Sequence, residues 1–185
     1  VMPDAKKVFF TPHHRSHAAS AFWPSPFSEA AVVVVDGVGE FSTTTIWKGE
    51  SGGLTPVSEI QFPHSLGLLY SAFTQYCGFK VNSGEYKLMG LAPFGNSIFK
   101  RRILDEFIEI DDQGAFTLNL QHFSFHRSLS SISPLFEQAL GQPVRLPNEP
   151  ITQHYMNVAA SIQAVLDLAM TRLVDSAREL TKLDN

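Results

Sequence analysis

Two histidines and one aspartate near the start of the chain have the residue types and spacing of a metal site. His13 and His17 are four residues apart, so a helix would place both imidazoles on the same face, one turn apart. Asp36 follows the apolar run from Ala31 to Val35, at the point where a buried strand would end. Imidazole and carboxylate groups bind iron, zinc and manganese in enzymes. The pattern predicts that His13, His17 and Asp36 are metal ligands and form a catalytic centre.

Each of these residues also has a simpler interpretation. Histidine pairs with this spacing are common on exposed helices that bind no metal. An aspartate followed by glycine, as in Asp36-Gly37, is typical of a turn in which the carboxylate accepts a hydrogen bond from the backbone. The residue types alone leave both interpretations open.

Local signals assign the three residues to a helix and to the end of a strand. Thr11-Pro12 is a typical N-cap followed by proline at the first helical position, which predicts a helix as far as Phe22. The β-branched run over 30–35 predicts a strand covered on both faces, followed by a tight turn over 37–40. Two further strands are predicted over 41–48 and 54–61. Together they form an antiparallel β-meander.

The remainder of the chain is predicted to be mainly helical. Helices are expected over 65–76, after Ser97, over 134–140 and from Ile151 to the end of the chain, because apolar residues recur there at helical spacing. A short strand is expected over 114–120 and a linker over 143–150. The alternation of strands and helices indicates an α/β protein. The last predicted helix runs to Asn185 without a stop signal, so we expect the chain to be a fragment of a longer protein.

Two glycine-rich segments are candidates for binding a nucleotide. Gly37 and Gly39 flank Val38 directly after the predicted strand, where backbone N–H groups can approach a phosphate, although a plain hairpin turn explains them equally well. The segment over 83–95 combines Glu85, Lys87 and Gly90. In a nucleotide pocket, Glu85 would contact the ribose hydroxyls and Lys87 would contact a phosphate. Gly90 would allow the ligand to approach the backbone closely. The alternative is a surface loop with one ion pair.

The composition indicates a globular protein without a strongly basic surface. The 185 residues are 44% hydrophobic and 17% charged, with a formal net charge of −4, which does not favour nucleic-acid binding. The single cysteine, Cys77, cannot form an internal disulfide, and its apolar neighbours predict a buried thiol. No signal peptide or membrane-spanning run is evident. We therefore expect a cytoplasmic protein that binds neither nucleic acid nor a membrane.

Four segments resemble, in the same order, the carbamoyltransferase family of the NodU and TobZ type. They are HHRSHAASAF (13–22), VVVVDGVGEFSTT (32–44), FPHSLGLLYSAFTQYCGF (62–79) and NSGEYKLMGLAPFG (82–95). The resemblance implies part of a TsaD-like domain with an RNase H-like/actin-like ATPase fold. In that fold a mixed sheet that starts with the antiparallel meander is flanked by helices. It also implies that residues 1–185 are a fragment without the N-terminal strands and the C-terminal YrdC-like domain of the family.

The resemblance also implies a reaction. The family makes carbamoyl adenylate from carbamoyl phosphate and ATP, and then transfers the carbamoyl group to a hydroxyl of a sugar or an antibiotic-like acceptor. His13, His17 and Asp36 would hold a divalent metal, with iron favoured and zinc or manganese also fitting. The family's further aspartate ligand would follow Asn185. We expect Glu85, Lys87 and Gly90, with Gly37 and Gly39, to contact the nucleotide, and we expect the chain alone to be inactive.

Two other functions remain open at this stage. One is a tRNA-modifying enzyme similar to threonylcarbamoyladenosine synthase, which has the same fold and metal chemistry; the net charge of −4 favours the carbamoyltransferase over it. The other is an actin-like nucleotide-binding module without catalytic activity, in which the histidines have structural roles. The tRNA-modifying enzyme differs from the favoured function in its substrate, and the actin-like module differs from it in needing no metal.

Overall fold

The computed structural model describes residues 8–128 and 130–185, which form six α-helices and five β-strands. Their order in the chain is α1 (His13–Phe22), β1 (Ala30–Gly39), β2 (Ser42–Glu50), β3 (Gly53–Gln61), α2 (Leu66–Tyr76), α3 (Glu85–Leu91), α4 (Lys100–Glu106), β4 (Ile108–Ile110), β5 (Phe116–Leu118), α5 (Pro134–Leu140) and α6 (Gln153–Thr181). Short 3-10 helices cover Ala92–Phe94 and Leu120–His122. Within these ranges, no helix is both long and apolar enough to cross a membrane.

The predicted β-meander is confirmed. β1, β2 and β3 form one antiparallel sheet in that order. The register of β1 with β2 is regular from the pair Ala30–Gly49 to the pair Val35–Thr44, and it shifts before the pair Gly39–Ser42. The turn therefore lies at Glu40, which has a φ of 63°. The turn predicted over 37–40 is wrong in its position, because residues 36–38 remain extended as an irregular end of β1.

Helices cover both faces of the three-stranded sheet. α1 lies on one face, where Ala18 and Phe22 pack against Val32, Val34 and Trp47. On the other face Val35 packs against a larger core, and both α2 and α6 contact β1. That core is rich in aromatic residues, including the fully buried Phe73, Tyr76, Phe107, Phe123 and Phe136. β1 is thus covered on both faces, as its continuous apolar sequence predicts.

The α/β class is confirmed, whereas several details differ from the sequence-based expectation. All strand pairs within the described residues are antiparallel, so the sheet there is not mixed. β4 and β5 form a separate two-stranded sheet. α6 ends at Thr181, where Lys182 adopts the left-handed conformation with a φ of 60°. Beyond it, the carbonyl of Asn185 accepts a hydrogen bond from the N–H of Ala31 at the free edge of β1.

The segment predicted as a linker, over 143–150, is anchored by a buried arginine. Arg145 is 4% exposed, and its guanidinium donates to carbonyl oxygens of its own segment and of the turn after α2. The acceptors are those of Cys77 (2.7 Å), Gly78 (3.4 Å), Leu146 (3.1 Å), Pro147 (3.4 Å) and Glu149 (2.6 Å). Arg145 thereby connects α2 to the segment that leads into α6.

We expect Arg145→Ala to lower the free energy of unfolding by about 3 kcal/mol, because several buried carbonyl groups would lose a charged donor. Urea denaturation of the intact protein measures this change. The matched control is Arg101→Ala, since the Arg101 side chain is 93% exposed and its loss should change stability by about 0.5 kcal/mol or less. Equal stability of the two variants would contradict the anchoring role of Arg145.

Candidate metal centre

The first two turns of α1 and the irregular end of β1 bring His13, His17 and Asp36 together. The Nε2 atom of His13 lies 2.7 Å from Oδ2 of Asp36 and 2.9 Å from Nε2 of His17. The Nε2 atom of His17 lies 3.5 Å from the same carboxylate oxygen. The side chains of His13, His17 and Asp36 are 43%, 52% and 33% exposed, so one ligand atom of each faces a common, accessible point.

These three atoms fit the coordination shell of a single divalent ion. Metal–ligand distances of about 2.1 Å require neighbouring ligand atoms to be on the order of 3 Å apart. The observed separations of 2.7, 2.9 and 3.5 Å meet this requirement. The three side chains line an open cleft of about 360 Å³ together with Ala21 and the valines of β1. The remaining coordination positions would therefore face open space, as a catalytic metal requires.

The surroundings of Asp36 keep its side chain ionised. Burial alone would raise its pKa, but the hydrogen bond with His13, the N–H of Gly37 and the charges of His13 and His17 together lower the pKa below its usual value. The N–H of Gly37 donates to Oδ1 of Asp36 at 2.6 Å, which leaves Oδ2 for the histidines. The carboxylate thus accepts a backbone hydrogen bond, as the simpler interpretation of Asp36 predicts, but it does so at the extended end of β1 and not in a turn.

α2 fixes the backbone at the end of β1. The hydroxyl of Ser65, which is fully buried, donates to the carbonyl oxygens of Asp36 and Gly37 at 3.1 and 2.7 Å. The same oxygen accepts from the N–H of Leu68 and so caps α2. The sequence analysis missed this role of Ser65, although a serine directly before an apolar helix is a recognisable N-cap signal.

Gly39 lies against the two consecutive histidines of α1. A Cβ atom at position 39 would lie 2.6 Å from Cδ2 of His14 and would also collide with the ring of His13. At Gly37, by contrast, an added Cβ atom would have no other atom within 4 Å. Gly39 is therefore required for the close approach of α1 to β1, whereas Gly37 is not.

A second cleft lies on the other side of Asp36 and contains part of the predicted nucleotide site. It has a volume of about 480 Å³, and Asp36, Gly37 and Glu85 line it together with side chains of α2 and α6. Lys87 and Gly90 are exposed on α3 and do not line this cleft. The structure thus brings Gly37 and Glu85 next to the metal ligands, whereas it does not bring Lys87 and Gly90 there.

The carboxylate of Glu85 is already occupied by hydrogen bonds of its own segment. Its oxygens accept from the N–H groups of Asn82 (2.8 Å) and Gly84 (3.1 Å) and from the hydroxyl of Ser71 (3.0 Å). Burial would raise the pKa of Glu85, but these bonds and that of its own N–H outweigh the effect and lower the pKa. Glu85 therefore stabilises the start of α3 and connects it to α2.

We expect Gly39→Ala to weaken the binding of Mn²⁺ about tenfold, because displacing both histidine rings misplaces a ligand. Gly37→Ala is the matched control, since the added methyl group meets no atom within 4 Å and should leave the affinity unchanged. Isothermal titration of the intact protein with Mn²⁺ measures both affinities. Equal affinities of the two variants would show that close approach at Gly39 does not position the ligands.

We expect Glu85→Gln to lower the free energy of unfolding by about 1 kcal/mol at pH 7, since a partly exposed carboxylate loses charged hydrogen bonds. The pKa of Glu85 is lower in the folded than in the unfolded protein. Its contribution is therefore present above the unfolded pKa of about 4.3 and is lost as the pH falls through the folded pKa. Denaturation at pH 7 and pH 3 measures the difference, with the exposed Glu109→Gln as control. A difference that is as large at pH 3 as at pH 7 would contradict this assignment.

Comparisons with known proteins place the chain in a family. The family model described as "Carbamoyltransferase N-terminus" matches residues 2–185. A protein of Synechocystis sp., described as uncharacterized, is 51% identical over 98% of this chain, which covers 30% of that relative. The nodulation protein NolNO of Sinorhizobium fredii is 30% identical over 96% of this chain and 24% of its own length.

Another relative is the nodulation protein NolO of Bradyrhizobium diazoefficiens, which is 32% identical over 91% of this chain and 29% of its own length. The chain thus spans less than a third of the length of each of these relatives. Its match to the family model nevertheless extends over nearly all of its residues, including the two histidines and the aspartate of the candidate metal centre. The chain therefore belongs to the carbamoyltransferase family, of which it matches the N-terminal part.

Proposed function

We propose that the intact protein is an ATP-dependent O-carbamoyltransferase and that this chain supplies one side of its metal centre. The observation that carries the proposal is the convergence of His13, His17 and Asp36, whose ligand atoms all lie within 4.8 Å of one another. This convergence occurs in a chain of the carbamoyltransferase family. We further infer that the chain is part of a TsaD-like domain with an RNase H-like/actin-like fold, which agrees with the antiparallel meander covered by helices.

The donor in this reaction would be carbamoyl adenylate, formed from carbamoyl phosphate and ATP. We assign its nucleotide part to the cleft of about 480 Å³ beside the metal ligands, because Gly37 and Glu85 line this cleft together with Asp36. We assign to Gly37 the close approach of the nucleotide to the backbone, since this position has free space around it. The acceptor would be a small molecule with a hydroxyl group, such as a sugar or an antibiotic-like compound.

His13, His17 and Asp36, which we call the triad, have the role of binding the metal ion and holding it in a fixed position. His13 and His17 offer Nε2 and Asp36 offers Oδ2 to one divalent ion, with iron favoured and zinc or manganese as alternatives. A metal bound there would act as a Lewis acid that polarises an oxygen of the donor. The N–H of Gly37 holds Oδ1 of Asp36, and the hydroxyl of Ser65 holds the backbone carbonyl of the same residue.

We expect His17→Ala to reduce both bound metal and carbamoyl transfer of the intact protein more than tenfold, since one of the ligands is lost. The metal content is measured by mass spectrometry of the purified protein, and transfer is measured with carbamoyl phosphate, ATP and a panel of hydroxylated acceptors. His126→Ala is the control, because His126 lies far along the chain in a turn after β5 and has no place in the triad.

The two measurements test different parts of the proposal. Stoichiometric metal in His17→Ala would contradict the assignment of the ligands. A wild-type protein that binds metal through the triad but forms no carbamoylated product with any acceptor would contradict the transferase. In that case, the assignment of the metal ligands would stand, and the protein would catalyse a reaction other than carbamoyl transfer.

A further inference from the structure

The chain between β3 and α2, over 62–65, carries the serine that holds the backbone of the metal centre. We call this segment the β3–α2 connection. Its last residue, Ser65, donates to the carbonyl oxygens of Asp36 and Gly37. The position of Asp36 therefore depends on where the connection lies. His64, the residue before Ser65, is held by hydrogen bonds from two other elements.

The imidazole of His64 connects the β3–α2 connection to the second sheet. Its Nδ1 atom accepts a hydrogen bond from the backbone N–H of Leu118 in β5 at 3.0 Å. In the neutral ring, an accepting Nδ1 leaves the proton on Nε2. Within residues 8–128 and 130–185, no other hydrogen bond joins β4 or β5 to the β-meander or to the β3–α2 connection. The His64 side chain is thus the polar link between the two sheets, at the residue next to Ser65.

The backbone of His64 is held by β2. The hydroxyl of Thr43, which is fully buried, lies within hydrogen-bonding distance of the carbonyl oxygens of His64 and Ile60. The carbonyl of His64 and the N–H of Ser65 belong to one planar peptide group. Holding this carbonyl therefore also restricts the orientation of the Ser65 backbone.

The side chains of His64 and Ser65 contact elements on opposite sides of the connection. Ser65 has an extended backbone, with φ −144° and ψ 126°, and consecutive side chains of an extended chain alternate in direction. The His64 imidazole meets β5 on one side, and the Ser65 hydroxyl meets the end of β1 on the other. A displacement of His64 relative to β5 would therefore also move Ser65 relative to Asp36.

We propose that His64 is a positioning residue of the metal centre, which acts through Ser65 and makes the position of Asp36 depend on the sheet of β4 and β5. Without the imidazole, the N–H of Leu118 loses its acceptor and the connection loses its attachment to β5. Ser65 then holds the end of β1 less firmly. The effect on metal binding rests on the proposed function, which takes the triad to bind a metal, whereas the coupling between His64 and Asp36 exists without a metal.

Hydrogen–deuterium exchange of the intact, metal-free protein tests this coupling. His64→Ala should speed exchange over 116–119, because Leu118 loses its acceptor, whether His64 has a structural or a positioning role. The positioning role alone also predicts exchange about fivefold faster over 36–39, where the N–H of Gly37 donates to Asp36. In His64→Asn both segments should exchange as in the wild type. Oδ1 of asparagine is bonded to Cγ, as Nδ1 of histidine is, and can accept the same hydrogen bond.

The affinity for Mn²⁺, measured by isothermal titration, tests the consequence for the metal centre. We expect His64→Ala to weaken binding about fivefold, which is less than the loss of a group that contacts a ligand directly. His64→Asn should bind like the wild type. Asn119→Ala is the matched control, because the exposed Asn119 attaches the end of β5 to the carbonyl of Glu106 and not to the β3–α2 connection. It should leave both the affinity and the exchange over 36–39 unchanged.

Two outcomes would overturn the proposal. In the first, His64→Ala exchanges faster over 116–119 but at the wild-type rate over 36–39, so that His64 only anchors β5. In the second, His64→Ala and Asn119→Ala have equal effects over 36–39, which would then come from general loosening of the sheet. A wild-type protein that binds no Mn²⁺ would contradict the proposed metal centre, and the exchange rates would still decide the role of His64.

A second variant decides the question where His64→Ala fails to fold. Thr43→Val removes the donor to the carbonyl of His64 and replaces it with a side chain of nearly the same shape. It should also speed exchange over 36–39, since the peptide group that leads into Ser65 is released. Wild-type exchange over 36–39 in Thr43→Val would overturn the proposal.

Discussion

The candidate site depends on the break in register at the end of β1. Up to Val35, β1 pairs regularly with β2, and the register then shifts before Gly39. A bulge of this kind re-aims side chains at the edge of a sheet. Here it directs the carboxylate of Asp36 toward the histidines of α1 and leaves the carbonyl oxygens of Asp36 and Gly37 for Ser65. One irregular segment thereby connects the meander, α1 and α2.

The two helices that meet this segment contribute in different ways. α1 supplies ligands, and its close approach depends on the absence of a side chain at Gly39. α2 supplies Ser65, which caps the helix and holds the end of β1 with one hydroxyl group. Because α2 belongs to the large aromatic core and Arg145 connects its C-terminal end to the segment that leads into α6, Asp36 is held by an element that is packed into the main core.

The elements around the site follow from the sequence, whereas their contacts do not. The spacing of His13 and His17 and the apolar run of β1 are local signals, and each one is realised as a helix or strand where expected. The turn after β1 was misplaced, because two glycines around Val38 are typical of a turn and also of an irregular strand. The burial of Arg145 within the predicted linker over 143–150 was not expected from the sequence. No local pattern indicates that an arginine will be buried among carbonyl groups.

The sequence by itself determined the residue types of the site, their helical spacing, the α/β class and the resemblance to a family. Tertiary structure decided which of those residues meet. It joined Asp36 to two histidines that precede it by 23 and 19 positions, put Gly37 and Glu85 along one cleft, and left Lys87 and Gly90 on the outer surface of α3. The physical reason is that helix and strand periodicity are set by neighbours along the chain. The close approach at Gly39 is set by packing between distant segments.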